Sequence, residues 1–189
     1  SRAHKGTEVI LSDGTKYSYN WQFFGIPLTQ VVADPTFAGS YVRIYKESQP
    51  GERTKWTQLT NSSILYPFKG YEITQKDSTT IYFRGELVNR STTISLPYTT
   101  TAGVFERGQH ILSNPYTAAI DVRKLIFGSD TERTVYLYTT GSFANWYNSG
   151  GGTTYDDTNA SAGQYLAIPQ RVAGIEDGLT NDIPSMSSF

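Results

Sequence analysis

Aromatic side chains beside amides and hydroxyls are the residues of this sequence best suited to bind a ligand. Trp146, Tyr147 and Asn148 follow one another, just before the glycine run at residues 150–152. Carbohydrate sites combine flat aromatic rings, which lie against sugar faces, with amides and hydroxyls that bond to the polar edges. Trp56 occupies the corresponding place earlier in the chain. These residues are therefore candidate contacts for a cell-surface glycan or another surface protein.

A packing role is the competing interpretation of both tryptophans. Trp56 and Trp146 each follow an aromatic strand-like segment, at residues 41–45 and 134–138 respectively. Equivalent positions of a repeat usually pack alike, and large aromatic residues are mostly buried. The sequence therefore favours core residues over ligand contacts at these two positions.

Asp156, Asp157 and Asn159 form a cluster of oxygen-bearing side chains. Calcium takes about six to eight oxygen ligands, so the cluster would need backbone carbonyls and a second loop. The spaced Asp and Gly residues of an EF-hand are absent. We interpret the segment as a solvated polar loop and expect no cofactor, with a structural calcium as the alternative.

The sequence offers no recognisable catalytic apparatus. His4 and His110 are its two histidines, and the G-x-S-x-G, H-E-x-x-H and phosphate-binding patterns are missing. Glycoside hydrolysis needs a pair of carboxylates across the scissile bond, but nothing in the spacing pairs the acidic residues of this chain. The available carboxylates are Glu86, Glu106, Asp121 and Asp130. We therefore expect a protein that is not an enzyme.

Composition favours an all-β fold, and the absence of cysteine is common in exported bacterial proteins. The chain holds 14 Tyr, 9 Phe and 3 Trp but no Cys, and aromatic and β-branched residues suit a half-buried pleated surface. Lys and Arg total 16 against 17 Asp and Glu, without clusters, so there is no electrostatic footprint for nucleic acid. Membrane insertion is not expected, because no apolar run approaches the roughly 20 residues of a bilayer span.

Short alternating segments separated by Gly, Pro, Asn and Asp predict strands throughout the chain. A helix is predicted near residues 115–126, because Asn114-Pro115 suits a helix start and apolar residues follow at helical spacing. The predicted strands are residues 17–23, 41–45, 55–57, 70–75, 80–83, 92–96, 109–112, 133–138 and 164–168.

The chain also repeats itself. Residues 21–29 resemble residues 109–117, and residues 41–45 resemble residues 134–138. A later block, residues 67–73, matches either residues 163–168 or residues 183–189, and the second match puts Phe189 in the place of Tyr71.

We therefore predict two similar antiparallel β-sandwich halves, jelly-roll-like, with one short helix. Residues 1–16 are interpreted as an extension or linker. The first repeat is predicted at residues 17–103 and the second at residues 104–189. The second repeat is expected to be truncated at its last strand.

These blocks carry a family resemblance. Residues 108–121 read G-Q-H-I-L-S-N-P-Y-T-A-A-I-D and resemble a G-W-N-L-x-G-N-P-Y-x-S-A-I-D pattern of large surface proteins from Bacteroidetes. In that group a V-Y-L-Y strand follows, as at residues 135–138, and then an I-P-x-M-Q-G-F element. The last element is found at residues 183–189, with Ser187-Ser188 in place of Gln-Gly.

The resemblance implies a part of an adhesin-like, multidomain protein exported by type IX secretion. It implies a non-catalytic structural or adhesive module on the bacterial surface, whose partners are neighbouring domains of the same polypeptide. A carbohydrate- or protein-binding module that uses loop aromatics is the alternative.

Overall fold

A computed structural model describes residues 2–4, 9–10, 16–17, 21–74, 79–101, 104, 106–139, 164–175 and 180–189. In these ranges every strand pair is antiparallel, which confirms the predicted all-β class. No helix among these residues is long and apolar enough for a bilayer span. The strands are β1 (Arg2–His4), β2 (Val9–Ile10), β3 (Lys16–Tyr17), β4 (Gln22–Phe24), β5 (Val31–Val32), β6 (Tyr41–Tyr45), β7 (Trp56–Gln58), β8 (Ile64–Leu65), β9 (Tyr71–Thr74), β10 (Thr79–Ile81), β11 (Ile120–Asp121), β12 (Thr134–Thr139), β13 (Gln164–Pro169) and β14 (Asp182–Ile183). The helical turns are α1 (Ala33–Thr36), α2 (Glu52–Lys55) and a 3-10 turn at Val122–Lys124.

The largest sheet has the strand order β4-β9-β6-β7 and covers the first hydrophobic core. Successive side chains of a strand point to opposite faces, so alternate residues enter the core. Val42 of β6 and Ile73 of β9 lie on the core side, whereas Arg43 and Glu72 lie on the opposite face. The buried core residues are Phe24, Ile26, Leu28, Val31, Ala33, Phe37, Val42, Leu65, Tyr71, Ile73 and Ile81.

A second, smaller core lies under the antiparallel pair of strands β12 and β13. These strands pair from Thr134 opposite Pro169 to Thr139 opposite Gln164. Val135 and Ile168 face one another in the register and are both buried. The buried residues of this core are Val122, Val135, Ile168, Ala173 and Ile183.

A set of backbone segments, which we term the clasp, joins the two cores. The clasp consists of residues 24–25, 68–70, 111–114 and 186–189. Residues 111–114 lie at its centre and bond to residues 68–70 on one side and 186–189 on the other. Leu112 and Phe189 exchange both backbone hydrogen bonds at 2.9 Å, and the Gly25 amide donates to the Met186 carbonyl at 2.8 Å. We refer to the parts of the chain that hold the first and the second core as its two portions. Where they meet, the clasp provides hydrogen-bond partners for the backbone amides and carbonyls of both.

Buried polar side chains complete the clasp. The side-chain Nδ2 of Asn114 donates to the backbone carbonyls of Ala118, Ile183 and Pro184, and Asn114 is fully buried. The Ser188 hydroxyl donates to the Phe24 carbonyl at 2.7 Å. Buried polar groups with partners stabilise one arrangement strongly, since any slip would leave them unpaired.

The two portions share an order of elements. In the first, β4 is followed by the short pair β5 and β8. In the second, residues 111–114 are followed by the short pair β11 and β14. The pairing of Phe24 with Tyr71 in the first portion corresponds to the pairing of Leu112 with Phe189 in the second. Phe68 and Met186, each three residues before Tyr71 or Phe189, both have positive φ values, 65° and 56° respectively. This parallel is what the predicted repeat would produce with Phe189 in the place of Tyr71. The domain boundaries stay a prediction.

The predicted helix is much shorter than its sequence pattern suggested. Only the 3-10 turn at Val122–Lys124 lies within residues 115–126, and Asp121 caps it by accepting a hydrogen bond from the Arg123 amide at 2.9 Å. The Asn114 side-chain oxygen accepts from the Tyr116 amide, which fixes a turn where the helix should begin. Pairing of β11 with β14 then extends the chain. Long-range pairing outweighs local helical spacing here.

Two predicted strands do not form ladders. Residues 92–96 carry no strand assignment, and residues 109–112 contribute an isolated bridge at Leu112. β-propensity favours an extended backbone but cannot supply a partner strand. The predictions at residues 41–45, 133–138 and 164–168 are confirmed by β6, β12 and β13.

Gly70→Ala should disrupt the clasp. A Cβ atom at Gly70 would lie 2.3 Å from Cγ2 of Ile111 and 2.9 Å from the Leu112 carbonyl oxygen. Overpacking of this kind costs about 1–3 kcal/mol, which lowers the melting temperature by about 2–12 °C for a chain of this size. Thermal unfolding followed by circular dichroism measures the change.

Gly128→Ala is the matched control, because its Cβ atom would meet only Thr131 Oγ1, at an ordinary 3.5 Å. Equal melting temperatures for the two variants would contradict a tightly packed clasp.

Candidate functional site

Trp56, the described member of the predicted aromatic site, lies in a packed cluster. It begins β7 and is half-buried. Its ring centroid lies 5.4 Å from that of Tyr45 and 5.8 Å from that of Phe23. The Arg43 guanidinium lies 5.5 Å from the Trp56 ring and 3.8 Å from the Trp21 ring. Trp56 is thus part of an aromatic cluster around Arg43, on the sheet face that points away from the first core.

Glu72 sits beneath this cluster and forms an ion pair with Arg43. Burial raises the pKa of Glu72 to about 7, and the nearby Arg43 charge opposes this effect without cancelling it. Glu72 is only 3% exposed, so a diffusing substrate has little access to this carboxyl. The pair therefore holds Arg43 against the tryptophan rings and is a positioning element of the sheet.

The remaining predicted site residues lie outside the described part of the chain. They are Trp146, Tyr147, Asn148, Asp156, Asp157 and Asn159. Their roles in ligand and calcium binding stay predictions. Within the ranges that the structure describes, no group of three or more His, Cys, Asp or Glu could hold a metal ion.

A cleft with a volume of about 680 Å³ opens beside the paired strands β12 and β13. One part of its lining comes from residues 96–98 and from residues 107–112, which begin in a turn, and another comes from residues between 127 and 138. Phe23 extends from the first sheet into the same lining, and Phe189 brings the clasp to it. The cleft is therefore formed where the two portions of the chain meet.

Three tyrosines of β12 and β13 line the cleft, beside Thr134 and Val135. Val135 and Leu137 of β12 face the second core, so the alternate residues Tyr136 and Tyr138 face the other way. Tyr138 lies 5.0 Å from both Phe23 and Tyr165, measured between ring centroids. Phe23 contacts both Tyr138 and Trp56, so it connects the tyrosines of β12 and β13 to the aromatic cluster of the first sheet.

Carboxylates accompany these rings. The Tyr136 hydroxyl donates to Glu132 at 2.8 Å, and the Tyr45 hydroxyl donates to Glu106 at 3.3 Å. The hydrogen bond to Glu132 raises the pKa of Tyr136. Burial raises the pKa of Tyr45 above its usual range, with Glu106 adding to the effect. Both phenols therefore keep their protons and act as donors to the neighbouring carboxylates.

Glu47 holds two segments that lead into the other part of the lining, one at Thr99 and one at Gly108. Its carboxylate accepts hydrogen bonds from the amides of Thr99 at 3.0 Å and Gly108 at 2.8 Å, and from the Thr99 hydroxyl. These bonds lower the pKa of Glu47 to about 2, the Thr99 side chain contributing most. At 6% exposure Glu47 is buried, so its charge depends on these donors.

Sequence reasoning missed Glu47, Glu132 and Tyr136 as site residues. Glu47 lies 52 residues before Thr99, and no local pattern indicates that contact. Alternation along β12 was the available signal for Tyr136, since it predicts a face opposite Val135 and Leu137. His110 lies in the cleft lining, and its Nε2 donates to the Pro97 carbonyl at 2.8 Å.

Comparison with known proteins gives one informative relative. The chain is similar to a fimbrial subunit. The relative is the Minor fimbrium subunit Mfa5 of Porphyromonas gingivalis, 35% identical over 185 residues. The alignment covers 94% of this chain but 15% of the relative, so the chain spans about 15% of the relative's length. No family model matches the chain, and no solved structure shows significant similarity to it.

This similarity agrees with the sequence-based resemblance at a coarse level. The relative belongs to a Bacteroidetes bacterium and is named as a part of a surface fibre, which confirms the predicted likeness to surface proteins of that group. The Asn-Pro-Tyr pattern and the type IX export route are not addressed by the comparison and stay predictions.

Glu47→Gln should flatten the acid dependence of stability. The folded pKa of about 2 lies below the ordinary value of 4.5, so the stabilisation by Glu47 is complete above pH 4.5 and is lost as the pH falls towards 2. At neutral pH the variant should lose about 2 kcal/mol of unfolding free energy, because charge-assisted hydrogen bonds are weakened. Urea denaturation at pH 7, 4 and 2.5 measures both effects.

Glu86→Gln serves as the control, because Glu86 is an exposed carboxylate. If Glu47→Gln and Glu86→Gln had the same pH profile, the anchoring role of Glu47 would be wrong.

Trp56→Ala should lower the unfolding free energy by about 3 kcal/mol, the low end for a large aromatic residue, since the ring is half-buried. The loss follows from its contacts with Tyr45, Phe23 and Arg43. Chemical denaturation measures it, with Tyr82→Ala as the control at a position that is 69% exposed. Unchanged stability would instead favour a ligand-facing Trp56.

Proposed function

We propose that this chain is a non-catalytic structural and adhesive module of a larger protein on the bacterial cell surface. The observation that carries the proposal is the similarity to a minor fimbrium subunit, which extends over 94% of the chain. Because the chain corresponds to about 15% of that relative, the activity of the whole relative does not transfer with it. The module would act through its surfaces and its mechanical integrity.

The clasp supports a structural role. It connects two hydrophobic cores through backbone hydrogen bonds such as those between Leu112 and Phe189, and through fully buried side chains such as Asn114. Packed portions joined in this way keep their relative orientation better than portions joined by a linker. A spacer in a surface fibre benefits from that property, because it must transmit force along its length.

We infer that the partners of the module are neighbouring domains of the same polypeptide and other surface proteins. The relative is named as a subunit of a fimbrium, and such a subunit assembles with others. Export by type IX secretion rests on the sequence resemblance alone. A glycan ligand was the alternative for Trp56, but the contacts of its ring with Phe23, Tyr45 and Arg43 favour packing.

In-frame deletion of this module from the gene of its parent protein tests the proposal in the source bacterium. We expect reduced surface display or reduced adhesion, since neighbouring domains would lose their spacer. Antibody labelling of intact cells and counts of adherent cells measure the two effects, and immunoblots of whole cells report the total amount of protein.

The full-length parent carrying Gly128→Ala is the control, and one carrying Gly70→Ala should give an intermediate defect because it strains the clasp. Normal display and normal adhesion after deletion would contradict a structural or adhesive role.

A further inference from the structure

The cleft between strands β12 and β13 on one side and residues 96–98 and 107–112 on the other presents aromatic rings to solvent. Tyr136 is 44% exposed and Tyr165 is 63% exposed, and both line the cleft together with Tyr138 and Phe23. The Tyr165 ring contacts the Tyr138 ring, which in turn contacts Phe23. Neighbouring exposed aromatic side chains that line a cavity are typical of a recognition site, because burying them on binding is favourable. The cleft volume of about 680 Å³ accommodates a long side chain with its flanking backbone.

The charges around these rings are mainly negative. Asp130 and Glu132 contribute carboxylates to the lining. Burial raises the pKa of Tyr165, and the negative charge of Glu106 adds to this effect. Of the described residues that line the cleft, Arg107 alone is a lysine or arginine, and its guanidinium lies 5.8 Å from the Tyr98 ring. Tyr136 and Tyr165 therefore face a region in which carboxylates outnumber cations.

The hydrogen bond between Tyr136 and Glu132 adds to this effect. A phenol that donates to a carboxylate becomes more electron-rich, so the face of its ring attracts a cation more strongly. The bond also holds the Glu132 carboxylate next to the Tyr136 hydroxyl, and Glu132 is exposed to solvent there. An anionic ligand would be repelled here, and a neutral apolar ligand would leave the carboxylates without new partners.

We propose that this cleft binds a lysine or arginine side chain presented by a partner protein. The cation would lie against the faces of Tyr136 and Tyr165 and near the carboxylates of Glu132 and Asp130. The aliphatic part of the side chain would contact Phe23 and Tyr138. This inference rests on the proposed function, since it names the chemistry by which a surface module would hold its partner.

The expected affinity for a single side chain is modest. A cation–π contact strengthens binding about two- to thirtyfold, and an exposed ion pair strengthens it by up to about fivefold. An isolated side chain should therefore bind in the millimolar range. A whole protein partner would bind more tightly because it makes further contacts around the cleft.

Nuclear magnetic resonance titration of the intact chain tests the site with N-acetyl-arginine amide and N-acetyl-citrulline amide. The two probes have nearly the same shape, but citrulline is uncharged. We expect saturable shifts with the arginine probe at millimolar concentrations, at least about tenfold weaker binding of the citrulline probe, and weaker arginine binding at high salt.

Variants locate the binding in the cleft. Glu132→Gln and Tyr136→Leu should each weaken arginine binding about three- to tenfold, which corresponds to the loss of one ion pair or one cation–π contact. Glu86→Gln and Tyr82→Leu are the matched controls, because these exposed residues lie outside the cleft lining. Equal melting temperatures of Tyr136→Leu and the unchanged chain would show that the loss is not due to unfolding.

Several outcomes would overturn the proposal. Equal binding of the arginine and citrulline probes would show that charge is not recognised. Binding of methyl galactoside without binding of arginine would indicate a carbohydrate site. Absence of binding by all probes would also reject it. None of these outcomes bears on surface display after deletion of the module, so the proposed function and this site can fail separately.

Discussion

Polar backbone buried between the two hydrophobic cores is the constraint on which the rest of the structure depends. Where the two portions meet, Ser113 and Asn114 are buried, so water cannot satisfy their backbone groups. Every amide and carbonyl there must find a partner in the protein. The neighbouring segments at residues 68–70 and 186–189 provide those partners from opposite sides. Glycine at position 70 allows the close approach that this bonding requires.

This junction also determines where the cleft lies. Phe189 and Leu112 are paired in the clasp and line the cleft, so the same contacts that join the cores set its base. Glu47 holds the segment that precedes Leu112 through hydrogen bonds with Thr99 and Gly108, and so fixes another part of the cleft lining. A binding surface is thus built from the places where the two portions are attached to one another. Such a surface should be lost whenever the portions separate.

The similarity to a fimbrial subunit and the geometry of the cleft concern different levels of function. A fimbrium subunit is named for the assembly to which it contributes, and this chain corresponds to a small part of such a protein. Aromatic rings with carboxylates at their edges describe instead how one surface could hold a charged group. A shared fold or ancestry does not specify a ligand, because recognition depends on individual side chains such as Tyr136 and Glu132.

The sequence by itself determined the all-β class and several strands, because alternation and aromatic content are local properties of the chain. Residues 41–45 and 133–138 are identified in this way. The short helix was overestimated because the fixed turn at Asn114 and the pairing of β11 with β14 are stronger than apolar spacing. Only the tertiary structure decided which distant residues meet: Glu47 with Thr99, and Tyr138 with Phe23. The contact of Tyr138 with Phe23 depends on how the clasp orients the two portions, and no local pattern encodes that orientation.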